Sequence, residues 1–308
     1  MNYGMPYMGS KSSVIDSIAL NFPKAENFYD LFGGGFSVTH YMLLHKKRNY
    51  QHFFYNEKDS RVVSLLKKAL NGDFNYKKFK PDWVSRDQFE NEKDNDAYIS
   101  LLWSFGNNQT SYLFGSGIEP WKRSLHNAVV FSKFDSTAKE TLSMDSWPDQ
   151  IKTIKQRRIY LRQYVKFSKK RLNCLDPLNN LQHLERLEQL QRLEQLEQLQ
   201  RLEQLEQLQQ ENYLTISSKS YDEVEIKKNS VVYCDIPYQG TAEYRYKFDY
   251  QKFFDWAANL NSPVFISEYN ITDPRFKHIY TIDKKILLSN KGALNIAGKK
   301  EKIYWNGK

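Results

Sequence analysis

The chain has 308 residues and a formal net charge of +9, with 45 Lys and Arg against 36 Asp and Glu. This length suits one large domain or two ordinary ones, but no run approaches the roughly 20 apolar residues of a membrane-spanning helix, and no basic, then apolar leader begins it. Two cysteines are too few for a disulfide framework, which favours a reducing cytoplasm, and the basic balance favours a polyanionic partner such as nucleic acid.

Short apolar runs typical of buried strands lie near both ends of the chain, and helical patterns follow them. Short strands that are each followed by a helix indicate a parallel α/β sheet. The early and late strands are separated by roughly 170 residues, which predicts one α/β domain interrupted by an insertion. The predicted strands are 27–30, 52–55, 230–234 and 264–267, and the predicted helices include 60–70 and 98–105.

A run of glycines directly follows the first strand. Gly33, Gly34 and Gly35 form a turn in which the backbone can approach a ligand closely and direct its N–H groups at it. Glu57 follows the second strand at the distance where an acid commonly binds ribose hydroxyls. The spacing predicts a nucleoside cofactor, either a dinucleotide or S-adenosylmethionine, although a tight strand-to-helix bend and a solvated acid fit the same residues.

A second candidate site is a basic segment at 155–171, which has eight Lys and Arg residues and no acid. As a helix that begins at residue 154, it would place an apolar line beside a basic stripe. The apolar line would pack and the stripe would contact DNA phosphates, although a solvated basic helix has the same pattern. The line comprises Ile154, Leu161, Val165 and Leu172, and the stripe comprises Lys155, Arg158, Arg162, Lys166 and Lys169.

Tryptophans earlier in the chain divide into two groups. Trp121 is followed by Lys122 and Arg123, which are candidates for groove or backbone contact with DNA. Trp83 and Trp103 are predicted to be core residues.

Residues 178–210 form a low-complexity run of Leu-x-x triplets with six Glu and three Arg, so the rest of the chain carries a net charge of +12. Its composition predicts a helix, but each successive leucine turns about 60° backward around the axis. A heptad coiled coil is therefore excluded. We expect a protruding, dispensable insertion, and the alternatives are self-association or an intimate dock on the catalytic domain.

The segment that indicates the chemistry is Asp235-Ile236-Pro237-Tyr238, which follows an apolar strand. The Asp235 carboxylate and the Ile236 carbonyl can accept the two N–H groups of a planar exocyclic amine, and the ring of Tyr238 can stack on an extruded base. Taken alone, the same residues fit an ordinary proline turn at the end of a strand.

Together with this tetrapeptide, five further motifs resemble those of the Dam-like DNA adenine N6-methyltransferases and occur in that family's order. The similarity covers both ends of the chain well and the middle poorly. The resemblance implies a Rossmann-like S-adenosylmethionine-dependent methyltransferase sheet with an inserted, mainly helical target-recognition domain. The further motifs are 6–11, 30–38, 56–59, the 104–115 segment with Asn107 and Asn108, and the closing pair 267–270 and 301–304.

The resemblance also implies direct transfer of a methyl group to adenine N6 in duplex DNA, without a metal ion. It implies a catalytic domain of 1–74 and 211–308, a target-recognition domain of 75–175 and the repeat at 176–210. The DNA contacts would come from Asn107, Asn108 and the basic residues named above. The cofactor residues would be Tyr7, Gly9, Lys11, Asp30, Phe32, Gly33, Gly34, Gly35, Glu57 and Tyr221, with Lys11 alternatively reaching the target nucleotide.

Three positions depart from the family's pattern. Phe36 stands where the cofactor motif has its final glycine, and Ile236 replaces the first proline of the tetrapeptide. Ser220 and Tyr221 replace an acid and an aromatic residue, although Tyr221 could still stack on the cofactor's adenine.

Three other functions are compatible with parts of the sequence. A cytosine N4-methyltransferase would use similar amine chemistry, but Asp235 at the head of the tetrapeptide favours adenine by analogy with the family. A dinucleotide-dependent oxidoreductase would explain the glycine turn but not the tetrapeptide. A non-catalytic DNA-binding protein would keep the basic helix without methyl transfer.

Overall fold

The chain forms a mixed α/β structure with one seven-stranded sheet. The computed structural model describes residues 2–175, 193–208, 212–239, 248–282 and 300–308, and excludes the side chains of 165–175. The strands are β1 Asn27–Asp30, β2 His52–Asn56, β3 Leu214–Ser217, β4 Ser230–Asp235, β5 Val264–Glu268, β6 Lys277–Ile282 and β7 Glu301–Trp305. The α-helices are α1 Ile15–Ala19, α2 Ser37–His45, α3 Ser60–Leu70, α4 Arg86–Glu92, α5 Ala97–Leu102, α6 Glu119–Phe131, α7 Ser136–Leu142, α8 Ile154–Leu175, α9 Glu194–Gln204 and α10 Tyr250–Asn259.

The described residues fall into two compact units. The first comprises Met1–Lys67 and Leu208–Lys308, and the second comprises Lys68–Gln207. The first unit contains the sheet, whereas the described elements of the second are helical. The predicted assignment of 75–175 to target recognition stays a prediction.

The sheet of the first unit has the strand order β3-β2-β1-β4-β5-β7-β6. The first five strands in this order are parallel, and β7 is antiparallel to both of its neighbours. The predicted strands and the predicted helix at 60–70 are confirmed. Continuous apolar runs identified the strands because the strands of a parallel sheet are covered on both faces. This is the expected Rossmann-like α/β class.

The strand order reverses between β1 and β4, which lie side by side at the centre of the sheet. Parallel sheets bind ligands beyond the carboxyl ends of their strands at such a switch point. Asp30 ends β1 and Asp235 ends β4. The topology therefore brings two carboxylates from distant parts of the sequence to the place where a ligand is expected.

The second unit packs α6, α7 and α8 around an apolar core. Leu125 and Val129 of α6 contribute to it, as do Ile154 and Leu161 of α8. Helix α8 begins at the predicted residue, and these two members of its predicted apolar line are buried. The side chains of Val165 and Leu172 lie outside the described set.

The tryptophans predicted as core residues meet in the second unit. Trp103 is fully buried, and its ring lies edge-on to Trp83 with the centroids 5.0 Å apart. The Trp83 ring also stacks on Phe114. The core prediction is confirmed for Trp103, whereas Trp83 packs against it but is only partly buried.

The expectation of a protruding repeat is wrong for its described part, 193–208. Every leucine in this part is buried, from Leu193 through Leu196, Leu199, Leu202 and Leu205 to Leu208. Helix α9 has neighbours on several sides, so leucines spread around its axis can all be covered. The chain then tightens into a 3₁₀ turn at Leu205–Leu208, where residues three apart lie on one face.

Polar contacts also hold α9 inside the second unit. The hydroxyl of Tyr76 donates to the carbonyl of Leu196, and the Asn75 amide donates to Glu206. Gln195 is buried and its amide contacts the His126 ring. This part of the repeat therefore packs within the second unit and not, as the alternative had it, on the catalytic domain. The remaining triplets at 178–192 lie outside the described residues.

Candidate active site

Asp30 occupies the carboxyl end of β1 and is buried. Its Oδ2 accepts hydrogen bonds from the backbone N–H and the hydroxyl of Thr39, whereas Oδ1 has no hydrogen-bond donor among the described residues. Burial raises the pKa of Asp30 to about 7, with Asp235 and Glu57 adding to the rise. A buried carboxylate oxygen without a donor is a receptor for a cation or a polar N–H group.

The glycine turn after β1 is too tightly surrounded for side chains. A Cβ at Gly33 would lie 2.1 Å from the ring of Tyr55, and one at Gly35 would lie 2.5 Å from Cβ of Tyr7. Gly34 has φ +45°, in the left-handed region, and a Cβ there would meet the Tyr7 ring at 3.0 Å. These contacts require glycine at the predicted turn.

Phe36 adopts the left-handed conformation that the missing glycine would favour, with φ 67° and ψ 13°. Such a conformation costs an L-residue roughly 1–2 kcal/mol. The ring is fully buried, stacked near His40 and edge-on to Tyr55. Phe36 in place of the family's glycine therefore keeps the path of the backbone, and packing of the phenyl ring offsets the strain of the left-handed conformation.

Glu57 connects the glycine turn to the end of β2. Its Oε2 accepts from the N–H of Gly34 at 2.9 Å, and its Oε1 accepts from the N–H of Asp59. Burial raises the pKa of Glu57, and the backbone donors partly oppose this rise. The carboxylate thus braces the turn, and its oxygens keep further lone pairs for the predicted ribose contact.

Tyr7 and Gly9 lie in the loop before α1. The Tyr7 ring stands over Gly34 and Gly35, as the distances above require, while Gly9 is exposed and has φ +82°. The carbonyl of Gly9 accepts from the ammonium of Lys11. The loop is consequently joined both to the glycine turn and to the group beside Asp235.

Lys11 lies at Asp235, a position that suits the alternative in which it reaches the target nucleotide, and its role stays a prediction. Its Nζ is 2.6 Å from Oδ2 of Asp235 and 3.3 Å from Oε1 of Glu301, and the side chain is almost fully buried. With Gly9, these acceptors account for the three N–H donors of the ammonium. Burial alone would lower the pKa of Lys11, but the two carboxylates raise it overall, so the group is a fixed cation.

Burial raises the pKa of Asp235, and the negative charge of Glu301 adds to the rise while Lys11 opposes it. The Tyr238 hydroxyl lies 3.2 Å from Oδ1 of Asp235 and donates to Oε1 of Glu301 at 2.6 Å. Burial, followed by the two carboxylates, raises the pKa of Tyr238, so its hydroxyl stays protonated. The four side chains form one connected polar group.

Ile236 and Pro237 separate the two functional side chains of the tetrapeptide. Ile236 is buried in the sheet core, which fixes the backbone that follows Asp235. The ring of Tyr238 meets Tyr269 edge-on, with centroids 4.6 Å apart. The turn therefore presents a half-buried aromatic ring next to a carboxylate, as the sequence predicts.

An aromatic cluster surrounds Phe32, which follows β1 and precedes the glycine turn. Tyr221 stacks near Phe32 at 5.7 Å and lies edge-on to Phe253 and Trp256. Burial, assisted by nearby Asp222, raises the pKa of Tyr221 to about 12. The predicted cofactor residues Phe32 and Tyr221 thus form part of one apolar surface near the glycine turn.

A cavity of about 510 Å³ opens beside the tetrapeptide. Glu268 at its wall is buried, and its carboxylate accepts from the N–H groups of Gln239 and Tyr269. Two lysines at the start of β7 contribute positive charge. The cavity is lined by Gln239, Glu268, Tyr269, Asn270, Thr272, Lys300 and Lys302.

Glu301 and Glu268 are site residues to which the sequence assigned no role. Each was part of a recognised motif, but neither motif indicates that its acid is buried beside the tetrapeptide. That placement results from antiparallel pairing, in which Lys302 of β7 lies opposite Glu268 of β5. The apolar alternation of β7 alone could not have selected Glu301.

Two predicted DNA contacts are corrected by their burial in the second unit. Lys122 is buried, its Nζ lies 3.1 Å from a Glu194 oxygen, and it also lies over the Phe114 ring. Arg158 is buried and donates to Gln200. Both side chains are buried and bonded within the second unit, so they are not positioned to contact DNA phosphates.

Other predicted DNA residues differ in exposure. Arg123 and Lys155 are exposed, whereas Arg162 is exposed but paired with Glu197 of α9. Lys166 and Lys169 lie on α8, where side chains are outside the described set. Acids of the repeat thus pair with Lys122 and Arg162, two of the predicted DNA contacts.

Asn107 and Asn108 shape the loop that joins Ser104 to Tyr112. The Asn107 amide donates to the carbonyl of Leu101 at 2.7 Å, and Oδ1 of Asn108 accepts from the N–H groups of Thr110 and Ser111. Both residues are partly exposed, so their role at DNA stays a prediction.

The sheet order, the carboxylates at its switch point and the Asp-Ile-Pro-Tyr turn define a methyltransferase of Rossmann-like fold. A family model described as "D12 class N6 adenine-specific DNA methyltransferase" matches residues 7–273. The chain therefore belongs to this family and is an adenine-specific DNA methyltransferase. A search of curated proteins found no match.

The described residues contain no helix with the length and apolar character needed to cross a membrane. Among the same residues, no group of three or more His, Cys, Asp or Glu side chains is arranged to hold a metal ion.

Proposed function

We propose that this methyltransferase uses S-adenosylmethionine to methylate the N6 amine of an adenine extruded from duplex DNA at a specific sequence. The observation that carries the proposal is the placement of Asp30 and Asp235 at the ends of adjacent strands. One carboxylate is available to the cofactor and the other lies in the tetrapeptide turn. The arrangement supports neighbouring cofactor and amine sites.

The residues near β1 fit this cofactor. Oδ1 of Asp30 is a buried acceptor that has no donor in the described part of the chain, and it is suited to the ammonium of the methionine part. Gly33 to Gly35 leave no room for side chains, Glu57 braces them, and Tyr221 adds an aromatic surface. Bound there, S-adenosylmethionine would supply an electrophilic methyl group.

At the target base, Asp235 accepts an N–H of the amine and favours the tetrahedral nitrogen that attacks the methyl group. Lys11 opposes the rise in the pKa of Asp235 that burial causes, which favours the ionised carboxylate. Tyr238 offers its ring for stacking, which is worth roughly 1–3 kcal/mol per base. The cavity beside Gln239 has space for a nucleotide, which supports extrusion of the base.

The test is methyl transfer from labelled S-adenosylmethionine to mixed-sequence duplex DNA, followed by chromatography of the nucleosides. We expect label in N6-methyladenine, and near-complete loss with Asp235→Ala at a cofactor affinity within a few fold of wild type. Tyr238→Ala should be severe and Tyr238→Phe milder, because the stacking face of the ring survives without the hydroxyl. Label in N4-methylcytosine, transfer only to single strands, or full activity of Asp235→Ala would overturn the proposal.

A further inference from the structure

Glu301 begins β7, far in sequence from the tetrapeptide, yet it is buried in contact with Tyr238 of the turn and with Lys11. Its Oε1 accepts the Tyr238 hydroxyl at 2.6 Å and lies 3.3 Å from the Lys11 ammonium. Lys11 in turn contacts Asp235. This carboxylate contacts Tyr238 directly and is linked to Asp235 through Lys11, without being one of the predicted base contacts.

Building on the proposed function, we propose that Glu301 is a positioning residue for methyl transfer, because it anchors the Tyr238 hydroxyl and shares the Lys11 ammonium with Asp235. The anchored hydroxyl fixes the plane of the ring on which the base stacks. The shared ammonium leaves Asp235 a stronger acceptor than it would be in an exclusive ion pair.

The charge of the cluster supports this role. Lys11 contributes one positive charge, while Asp235 and Glu301 contribute two negative charges, so the group has a net charge of −1. The target nitrogen becomes positive as it takes the methyl group. A buried cluster of net negative charge stabilises that transition state more than the neutral amine. Without the Glu301 charge, the remaining Lys11–Asp235 pair would be neutral.

Ionisable groups reach Asp235 from every element packed around it, so its titration reports on the cluster. Removal of the Glu301 charge takes away a like charge that raises the pKa of Asp235, while Lys11 continues to lower it. The acid limb of the rate profile should then move to lower pH. The groups are Asp30 on β1, Lys11 in the first loop, Tyr233 on β4, Tyr238 in the turn and Glu301 on β7.

The experiment compares Glu301→Gln with Glu301→Asp in single-turnover methyl transfer. Glu301→Gln keeps the size of the side chain but loses the charge, and should slow transfer by about 10- to 100-fold, the loss expected for a charge-assisted hydrogen bond. Cofactor and DNA dissociation constants should stay within a few fold, and the acid limb should shift down. Glu301→Asp keeps the charge with a shorter reach, so it should slow transfer with the acid limb near its wild-type pH.

A double-mutant cycle isolates the contact with the ring. If Glu301 acts through the Tyr238 hydroxyl, the loss from Glu301→Gln should be smaller in a Tyr238→Phe background than in wild type. Glu225→Gln, which removes the same charge from an exposed position, is the matched control. Glu301→Gln is isosteric, so we expect it to fold, and thermal unfolding and cofactor binding check this. If it does not fold, the rate and pH profile of Glu301→Asp test the proposal instead.

The outcomes separate this inference from the function on which it rests. A wild-type protein that transfers no methyl group would overturn the proposed function. If the wild type is active and the Glu301→Gln variant has the same rate and pH profile, only the role of Glu301 is overturned. A slower Glu301→Gln variant with an unmoved acid limb and a loss additive with Tyr238→Phe would also overturn it, because that result indicates general structural damage.

Discussion

The ammonium of Lys11 lies 2.6 Å from Oδ2 of Asp235 and is buried there. This ion pair places Lys11 against the carboxylate of the tetrapeptide, beside the site that we propose for the target amine. It also favours the ionised form of Asp235, since Lys11 opposes the rise in pKa that burial causes in this carboxylate.

Lys11→Met should impair chemistry more than cofactor binding. Without the ammonium, no positive charge balances the two neighbouring carboxylates of Asp235 and Glu301. The pair therefore takes up a proton more readily. The pKa of Asp235 rises, so the acid limb of the methyl-transfer rate should move to higher pH. A rate–pH profile with cofactor titration measures both effects, with exposed Lys24→Met as the control. A cofactor dissociation constant that rises as much as the rate falls would return Lys11 to the cofactor site.

Asp30 predicts a pH dependence of cofactor affinity. Burial raises its pKa to about 7 in the free protein, and only the ionised form attracts a cofactor ammonium. Affinity should be full above that pKa and should fall as pH drops through it. Calorimetric titration of S-adenosylmethionine between about pH 5.5 and 8.5 measures this trend. Asp30→Asn should bind weakly with a flatter profile, and an unchanged profile in that variant would assign the titration to another group.

The strained backbone at Phe36 predicts an unusual order of stability. Removal of a buried phenyl ring costs about 3–5 kcal/mol in either Phe36→Ala or Phe36→Gly. The alanine keeps the left-handed strain at φ 67°, whereas glycine relieves it. We expect Phe36→Gly to be the more stable of the two by about 1 kcal/mol in denaturant unfolding. Equal stability, or a more stable alanine variant, would contradict the strain.

The central strands and the tetrapeptide turn could be predicted because each is specified locally. Apolar runs suffice for β1 and β4, and the position of Asp235 follows from its strand. The placement of Glu301 beside Tyr238 could not be predicted, since it depends on which strand pairs with β5 and in which direction. The burial of Lys122 was equally hidden, because its partner Glu194 lies in a repeat whose packing the sequence does not specify.

The period of the repeat led to a wrong expectation for a physical reason. A helix that packs against one surface needs its apolar residues on one face, whereas triplet spacing distributes them around the helix axis. Helix α9 instead has several neighbours, including Tyr76 and the helices that carry Lys122 and Arg162. Local periodicity describes which faces are apolar, but the number of packing partners is a property of the tertiary structure.

The exposed basic residues of the second unit should contribute non-specific DNA affinity. Arg123 and Lys155 are exposed, and replacing both with Gln should lower the log–log salt slope of binding by roughly 1.8, at about 0.9 per phosphate. Fluorescence anisotropy with random duplex at several salt concentrations measures the slope. Arg158→Gln is the control, since this buried residue should affect thermal unfolding and leave the slope unchanged. An unaltered slope in the double variant would place the phosphate contacts elsewhere.

The described part of the repeat should behave as core. Leu199 is 1% exposed and lies on α9, so Leu199→Ala should lower the free energy of unfolding by about 2–5 kcal/mol. Gln204→Ala, on the exposed side of the same helix, should change it by less than about 0.5 kcal/mol. Chemical denaturation followed by tryptophan fluorescence reports on the second unit through Trp103 and Trp147, which are buried there.

The same packing changes the expected result of shortening the repeat. A deletion of 184–201 removes most of α9 together with Leu193, Leu196 and Leu199. The variant can keep its fold only if other triplets take over these positions, which the near-identity of the triplets allows in principle. We therefore expect a lower unfolding midpoint, with methyl transfer surviving below it. A wild-type midpoint for both the deletion and Leu199→Ala would show that the leucines of α9 do not stabilise the unit.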